Sequence, residues 1–193
     1  LLDTRLLHLT GITPALSASS REIVSEAQGR ARRAGIPISF DVNYRAKLWS
    51  PTDAAAGLRP LIAEADILFC KGADASLLFG CSGEPEALMR ALAAQTRAAI
   101  VVCTFAERGA ALLQDGVYTH QTALPVTIVD RIGSGDAFAA GLLDGWLDGD
   151  ARDGLRRGVA LAAIALSQHG DQVLTNRAEL NGVMAQQRVD VAR

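Results

Sequence analysis

The feature that most constrains this chain is the regular alternation of short apolar runs with stretches of helical periodicity. The apolar runs lie at 6–11, 36–40, 66–70 and 98–103. Helices are predicted between them over 21–34, over 52–65 with an interruption at Pro60, and over 84–97. Strands that alternate with helices are typical of βαβ units, whose strands run parallel and whose crossovers are right-handed. The sequence therefore predicts an α/β fold with a mostly parallel sheet between helices.

The later part of the chain departs from this alternation. The dipeptide Asp115-Gly116 stands between the apolar runs 110–114 and 117–121. Such a dipeptide indicates a two-residue hairpin, so these runs are predicted to pair antiparallel at an edge of the sheet. Two further helices are predicted, an alanine-rich one over 151–167 and a polar terminal one over 175–193.

The chemistry of the sequence is concentrated in residues 128–147, which predict a short apolar strand, a glycine turn and a helix beginning near Asp136. Gly133, Ser134 and Gly135 leave the backbone bare enough for an anion to approach closely. The helix directs its unpaired N–H groups and the positive end of its dipole at the same place, and the dipole favours an ionised carboxylate there. The stretch therefore predicts an anion-binding turn with a carboxylate beside it.

A carboxylate beside an anion hole suits phosphoryl transfer to a hydroxyl group, because the base takes the proton while backbone donors stabilise the migrating charge. A structural alternative is that Asp136 only caps the helix. Two rival motifs fail: Phe138 stands where Gly-x-Gly-x-x-Gly needs its third glycine, and no Gly-x-x-x-x-Gly-Lys-Ser/Thr occurs. A dinucleotide-dependent hydride-transfer enzyme is therefore disfavoured.

The segment Asp130-Arg-Ile-Gly-Ser-Gly-Asp-Ala-Phe-Ala-Ala-Gly141 resembles the C-terminal signature of the ribokinase-like (PfkB) family of carbohydrate kinases. Its Asp-Arg-Ile start is similar to the 2-keto-3-deoxygluconate kinase branch. The resemblance implies a three-layer α/β/α sandwich with a mostly parallel sheet, and a kinase that uses ATP and Mg²⁺. It also implies that Asp136 is the catalytic base and that Gly133, Ser134 and Gly135 form the anion hole, with Gly133 and Gly135 also contacting the nucleotide.

Three acidic or basic positions are further implied by the resemblance as substrate ligands. The segment Asp41-x-Asn43-x-Arg45 is similar to one that lies between nucleotide and sugar in the family. Arg45 offers a fork of donors for an acid sugar or a phosphate, and Asn43 a neutral donor and acceptor for the nucleotide. Asp130 and Asp171 are implied to face the substrate. The alternatives are a surface ion pair for Arg45 and loop capping for the two aspartates.

Two segments depart from the family pattern. Lys71-Gly-Ala-Asp74 stands where many members have Asn-x-x-Glu, so Asp74 is expected to hold Mg²⁺ through water or, alternatively, to cap a helix. The segment Thr104-Phe-Ala-Glu-Arg-Gly109 resembles the nucleotide-binding turn, in which Thr104 and Gly109 would contact ATP. Ala106 replaces the first glycine of that turn, which costs backbone freedom if the turn needs a positive φ.

Composition narrows the choice of partner. A chain of 193 residues with a net charge of −2 offers no electrostatic attraction to nucleic acid or to an acidic membrane, so small molecules are the expected partners. The family resemblance implies that these are a sugar or sugar acid and ATP. The cysteines, Cys70, Cys81 and Cys103, are read as reduced core residues of a cytoplasmic protein. His8, His120 and His169 have no partners at metal-ligand spacing. A homo-oligomer is left open.

The chain begins at Leu1 and enters an apolar run almost at once. Because members of the resembling family are considerably longer, we expect residues 1–193 to be the C-terminal part of a single kinase domain, with the N-terminal lid region absent. Two alternatives to a 2-keto-3-deoxygluconate kinase stay open. One is a non-catalytic nucleotide-binding or assembly module, and the other is a kinase for a ketose or a nucleoside.

Overall fold

The computed structural model describes the backbone of residues 3–190 and the side chains of residues 3–185. The elements in chain order are β1 (Leu7–Thr10), α1 (Ile12–Leu16), α2 (Ala18–Arg33), β2 (Ile38–Asp41), α3 (Pro51–Ala63), β3 (Ile67–Lys71), α4 (Gly72–Phe79), α5 (Pro85–Ala93), β4 (Ile100–Thr104), a 3₁₀ turn (Ala106–Arg108), β5 (Ala110–Gln114), β6 (Val117–Gln121), α6 (Ser134–Leu147), α7 (Ala151–Leu166) and α8 (Arg177–Asp190). The predicted alternation of strands and helices is confirmed as far as β4.

The strands form one sheet in the order β1-β2-β3-β4-β5-β6, and β1 to β4 run parallel. The register pairs Thr10 with Asp41 and Lys71 with Thr104, so each of these four strands ends in a polar residue at the same edge of the sheet. Ligands of parallel sheets bind outside this carboxyl edge. The chain divides into two compact units, Leu1–Phe105 with Leu112–Tyr118, and Ala106–Ala111 with Thr119–Arg193.

The core of the first unit lies on the strands between their polar ends. Ile38, Phe40 and Leu68 are fully buried, and burial of side chains of this size stabilises the fold by about 1.5–3 kcal/mol each. Ala31 of α2 packs with Ile38 in the same cluster. On β3, the consecutive residues Ile67 and Leu68 point to opposite faces of the sheet and both are buried, which explains why the strands appear in the sequence as uninterrupted apolar runs.

Three local features of the first unit differ from the sequence prediction. Helix α3 runs through Pro60 without interruption, so the predicted break is wrong; the helix is held on either side by buried residues, among them Leu58 and Leu61. Helix α1 and helix α4 were not predicted. Helix α2 begins at Ala18, where Ser17 caps it by accepting the N–H of Ser20 at 3.0 Å.

The predicted hairpin at the edge of the sheet is confirmed. Strand β6 is the last strand of the sheet and follows β5 through Asp115 and Gly116, whose φ angles are 52° and 74°. Two positive φ angles are typical of a type I′ turn, which matches the twist of antiparallel strands. Arg90 of α5 donates a hydrogen bond to the carbonyl oxygen of Gly116 at 3.0 Å and fixes the turn.

The second unit is built on the close crossing of α6 and α7. Gly141 and Gly145 of α6 face Gly158 and Gly154 of α7, and a Cβ atom at any of these positions would overlap the backbone of the other helix. Arg157 adds ion pairs to Asp144, Asp148 and Asp153, at 2.6, 2.6 and 2.8 Å respectively. Glycine therefore allows the close contact of the two helices, and the ion pairs from Arg157 to Asp144 and Asp148 hold them together.

The predicted strand before the glycine turn is wrong. Residues 122–132 form no strand, and the side chains of Ile128 and Val129 are each 44% exposed. The N–H of Val129 donates instead to the carbonyl oxygen of Leu166 at 2.8 Å, at the end of α7. The apolar pair therefore lies in an irregular segment that is anchored to a helix end. All three cysteines are free and buried, as predicted.

Candidate active site

The glycine turn forms the entrance to helix α6. Gly133 is the N-cap, with φ at +78°, and the helix begins at Ser134. The first intrahelical hydrogen bond runs from the N–H of Ala137 to the carbonyl oxygen of Gly133 at 2.8 Å. The N–H groups of Ser134, Gly135 and Asp136 therefore precede the hydrogen-bonded part of the helix, and none of the described side chains caps them. This is the geometry of an anion-binding helix terminus.

The two glycines of the turn have different surroundings. A Cβ atom on residue 133 would overlap the carbonyl oxygen of Asp171, whereas a Cβ atom on residue 135 would meet none of the described atoms within 4 Å. Gly133 is thus required by backbone contact and by its positive φ. Gly135 instead leaves open space over the first turn of α6, which is the space that an approaching phosphate group needs.

Asp136 lies in the first turn of α6 and its side chain is exposed. Within the described part of the chain its carboxylate makes no hydrogen bond or ion pair, so it is free to accept a proton from a ligand. Its neighbour Ala137 begins the buried face of the helix. The carboxylate and the open space beside Gly135 therefore share the solvent side of the helix start.

Asp130 ties the turn to the loop after α7. Its carboxylate accepts the N–H of Ile132 at 3.0 Å and the N–H of Gly170 at 3.3 Å. These backbone hydrogen bonds, that of Ile132 foremost, lower the pKa of the Asp130 carboxyl group below its usual range. Ser134 closes the turn further, because its hydroxyl donates to the carbonyl oxygen of Arg131 at 3.0 Å. The structure thus brings together Asp130, Asp171 and the anion-hole residues.

The predicted nucleotide turn is also held by backbone contacts. Gly109 has φ at +91°, and a Cβ atom there would overlap the carbonyl oxygen of Gln121 on β6. Ala106, which stands where the family has glycine, has φ at +52°. The imidazole of His120 lies 2.8 Å from the carbonyl oxygen of Arg108. His120 was not predicted to support this turn, because only the pairing of β5 with β6 brings it there.

In the first unit, the structure places Asn43 just beyond β2 with φ at +39°. Its N–H donates to Asp41 at 3.1 Å and its side-chain amide donates to the Thr10 hydroxyl at 3.3 Å. Arg45 is exposed, and one of its Nη atoms donates to the carbonyl oxygen of Tyr44 at 3.2 Å. Thr10 was missed by sequence reasoning, although its place at the end of β1 is a usable signal.

Asp74 is the most unusual carboxylate of the first unit. It lies in the first turn of α4, is 9% exposed, and its buried Oδ2 atom has no hydrogen-bond partner among the described residues. Burial raises the pKa of Asp74, and the charges of Lys71 and Arg45 act in the opposite direction. Thr104, also predicted as a ligand, ends the neighbouring strand β4 beside Lys71.

The surroundings of Asp74 fit one kind of metal site. The described residues hold no cluster of three or more histidine, cysteine or acidic side chains able to bind a metal ion. Mg²⁺ does not need such a cluster, because it is commonly held by one or two carboxylates together with phosphate and water oxygens. A single unpartnered oxygen at Asp74 is therefore compatible with Mg²⁺ that arrives with a nucleotide.

Comparison with known proteins shows what the chain resembles as a whole. The profile of the family described as "pfkB family carbohydrate kinase" matches residues 2–178. The 2-dehydro-3-deoxygalactonokinase of Haloferax volcanii is 34% identical over 183 residues, which cover 94% of this chain and 58% of that protein.

Two solved structures resemble the fold closely. The 2-dehydro-3-deoxygluconokinase of Thermotoga maritima has a TM-score of 0.86 at 26% identity, with 94% of this chain and 60% of that chain covered. The fructokinase of Vibrio cholerae, solved in fructose, ADP and calcium ion bound form, has a TM-score of 0.81 at 26% identity, with 93% and 60% covered. These similarities confirm the predicted ribokinase-like α/β fold class.

These matches cover only part of the length of the related proteins. The chain spans 58% of the length of the Haloferax volcanii relative and 60% of the length of the Thermotoga maritima structure.

Between residues 3 and 190, none of the helices has both the length and the apolar character needed to cross a bilayer.

Proposed function

Because the chain belongs to the pfkB family of carbohydrate kinases, we propose that it serves ATP-dependent transfer of the γ-phosphate to a hydroxyl group of a 2-keto-3-deoxy sugar acid. The observation that carries the proposal is the start of α6. There an exposed carboxylate, Asp136, stands in the first turn of a helix whose leading N–H groups are uncapped and whose Gly135 leaves open space.

The proposed reaction assigns a separate task to each part of this turn. Asp136 accepts the proton of the sugar hydroxyl as its oxygen attacks the γ-phosphorus, and the bond between that phosphorus and the β–γ bridging oxygen breaks to release ADP. The N–H groups of Gly133, Ser134 and Gly135 stabilise the charge on the transferred group. Because the helix already fixes these donors, no reorganisation is needed when the charge develops.

Asp74 is the residue we propose to hold Mg²⁺, as its unpartnered Oδ2 atom permits. When bound, Mg²⁺ neutralises charge on the nucleotide phosphates. Asn43, Thr104 and Gly109 are proposed to contact the nucleotide, together with the glycines of the turn. Asn43 follows β2 and Thr104 ends β4 at the carboxyl edge of the sheet, where ligands of parallel sheets bind, which supports these two assignments.

The acid-sugar part of the proposal depends on the charged side chains. Arg45 is exposed and offers a bidentate donor for the substrate carboxylate or a nucleotide phosphate. Asp171 is exposed and is proposed to accept a substrate hydroxyl. Asp130 is proposed to act on the substrate mainly through the shape of the turn, because both of its oxygens already accept backbone N–H groups.

We place this reaction in the cytoplasm, where ATP is available and thiols stay reduced. The three buried free cysteines support that placement.

The experiment that tests the proposal is titration calorimetry of this chain with ATP and Mg²⁺, alone and then with 2-keto-3-deoxygluconate or 2-keto-3-deoxygalactonate. A coupled assay for ADP with the same acids, with fructose and with a nucleoside follows. Turnover of a 2-keto-3-deoxy acid supports the proposal. ATP binding without turnover of any acceptor would favour the nucleotide-binding module, and turnover of fructose or the nucleoside alone would overturn the acid-sugar assignment.

A further inference from the structure

The loop between α7 and α8 is closed by one side chain. The carboxamide of Gln168 donates from Nε2 to the carbonyl oxygen of Leu174 at 3.0 Å and accepts the N–H of Leu174 at its Oε1 atom at 3.1 Å. This two-point pairing joins the ends of residues 168–174, which we call the clamp loop. It reproduces with a side chain the pairing that two strands make with their backbones.

Besides this pairing, Val173 orders the end of the clamp loop, because it packs against the buried cluster that includes Ile164 and Leu180. Residues 169–172 have little else to order them. His169, Gly170, Asp171 and Gln172 are all exposed, and this part of the loop has no regular secondary structure. A segment without buried apolar side chains or a hydrogen-bond ladder opens easily. Closure of the loop by Gln168 therefore adds to the order of residues 169–172, because it removes freedom from the ends of the loop.

The clamp loop touches the anion-hole turn at two points. The N–H of Gly170 donates to Asp130, and the carbonyl oxygen of Asp171 packs against the Cα atom of Gly133. The second contact lies at the residue whose carbonyl oxygen accepts the first hydrogen bond of α6, from Ala137. The position of the loop therefore sets the position of Gly133 and of the N–H groups that follow it.

We propose that Gln168 is a positioning residue of the phosphoryl-transfer site, which holds the clamp loop closed so that Gly170 and Asp171 fix the anion-hole turn. The inference rests on the proposed function, since it gives the turn its catalytic meaning. Gln168 contacts no reacting atom. It acts through Asp171 and Gly133. Its loss therefore changes the geometry of the site but removes none of the residues proposed to bind the nucleotide or the sugar.

The test begins with amide hydrogen exchange of the unliganded chain, which needs no activity. Gln168→Ala is expected to raise the exchange rate of the Ala137 amide about 10-fold, since two hydrogen bonds that order the loop are lost. Gln172→Ala is the matched control, because Gln172 lies exposed on the same loop and its side chain makes no hydrogen bond within the described residues. The amide of Gly154, bonded to Asp150 at 2.9 Å at the start of α7, serves as the internal reference.

A second variant keeps the test decisive if Gln168→Ala does not fold. Gln168→Glu retains the shape of the side chain, and its protonated carboxyl group both donates and accepts as the carboxamide does. Its ionised form cannot donate to the carbonyl oxygen of Leu174. We expect Ala137 exchange in this variant to match the wild type at acidic pH and to exceed it as the pH rises above about 4.3, the ordinary pKa of glutamate.

The catalytic arm measures kcat and the KM for ATP. Gln168→Ala is expected to lower kcat about 10-fold and to change the KM for ATP less than about twofold, since displaced donors act in the transition state. Faster exchange at Ala137 together with the loss in kcat supports the inference. Unchanged exchange at Ala137, or unchanged kcat in an active enzyme, would overturn it. If the wild-type protein has no kinase activity, the proposed function is wrong, but the role of Gln168 in positioning the turn is not yet tested by that result. The hydrogen-exchange measurement then tests that role.

Discussion

Gly133 and Asp171 are in direct backbone contact, since a Cβ atom on residue 133 would overlap the carbonyl oxygen of Asp171. The contact joins the turn before α6 to the loop after α7, although the two residues are 38 positions apart in the sequence. Gly133 also has φ at +78°. Two independent reasons therefore exclude a side chain at this position, while Gly135 in the same turn is subject to neither.

The first prediction compares these two glycines. Gly133→Ala is expected to lower the free energy of unfolding by about 2 kcal/mol or more, because a left-handed φ and a backbone overlap act together. Gly135→Ala has no overlap and a helical position, so it should raise that free energy by up to about 1 kcal/mol. Urea denaturation of both variants checks the signs. Equal effects on stability would contradict the difference between the two positions.

Gly135→Ala should nevertheless impair the proposed reaction. Its methyl group would enter the space that is open over the first turn of α6, so we expect turnover to fall about 10-fold or more through displacement of the phosphate. A variant that is more stable and less active would separate the anion hole from the fold. Wild-type turnover in Gly135→Ala would show that phosphate does not approach at this residue.

The second prediction is that glycine in place of Ala106 stabilises the fold. Ala106 has φ at +52°, a conformation that costs an L-residue about 1–2 kcal/mol. Gly avoids this cost, but its greater conformational entropy in the unfolded state offsets part of the gain. Ala106→Gly is therefore expected to raise the free energy of unfolding by up to about 1 kcal/mol. Ala73→Gly, at an exposed position of α4, is the matched control and should lower it by about 1 kcal/mol. Destabilisation by both changes would contradict a strained turn at Ala106.

The crossing of α6 and α7 gives the third prediction. A Cβ atom on residue 154 would overlap the carbonyl oxygen of Leu142, so Gly154→Ala should lower the free energy of unfolding by about 1–3 kcal/mol. Gly182 in α8 has no described atom within 4 Å of a Cβ placed there, and Gly182→Ala should stabilise by up to about 1 kcal/mol. Thermal unfolding measured side by side tests both. A neutral Gly154→Ala would mean that the helices can separate without penalty.

The sequence predicted the features whose signals are local. Buried strands such as β2 appear as apolar runs, the Asp115-Gly116 pair indicates its own turn, and glycines before Asp136 mark the helix start. Local signals also misled: Ile128 and Val129 have strand-like composition, yet they stay half exposed and one of them bonds to the end of α7. Apolar composition alone does not say whether a run finds a neighbouring strand.

The contacts that shape the candidate site join residues that are far apart in the sequence. The bond from Gly170 to Asp130 joins residues 40 positions apart, and the packing of Asp171 on Gly133 is equally remote in sequence. Glycine and aspartate are common in loops, so the residue types alone do not indicate that these distant partners are in contact. The resemblance to a family identified Asp130 and Asp171 as important, but their structural link to the anion hole emerges only from the folded chain.

The fourth prediction concerns the proposed base. Asp136→Asn is expected to lower turnover by about 100-fold or more, because a carboxamide cannot accept the hydroxyl proton, a contribution typical of general bases. Binding of ATP should change less than about twofold, as the amides of the turn are unaltered. Glu22→Gln, an exposed change on α2, serves as the control. Turnover close to that of the wild type would exclude Asp136 as the base.

The fifth prediction follows from the charges around Asp144 in α6. Its carboxylate accepts two hydrogen bonds from Arg177, at 2.6 and 2.8 Å, and one from Arg157 at 2.6 Å. The bonds from Arg177 foremost, helped by Arg157 and opposed by burial, lower the pKa of Asp144 to about 2. A carboxyl group whose folded-state pKa is depressed stabilises the fold fully above its unfolded-state pKa of about 3.9, and that stabilisation disappears as the pH falls through the folded-state pKa.

Asp144→Asn should therefore be less stable than the wild type at neutral pH and lose this deficit in acid. Because the carboxylate is 36% exposed, solvent screening reduces the expected deficit to about 1 kcal/mol. Urea denaturation of both proteins at neutral pH and at several values between about pH 4 and 2 measures the difference. A deficit that stays constant across this range would show that Asp144 stabilises the crossing by packing. A deficit that shrinks with acid and with added salt would show that its charge does so.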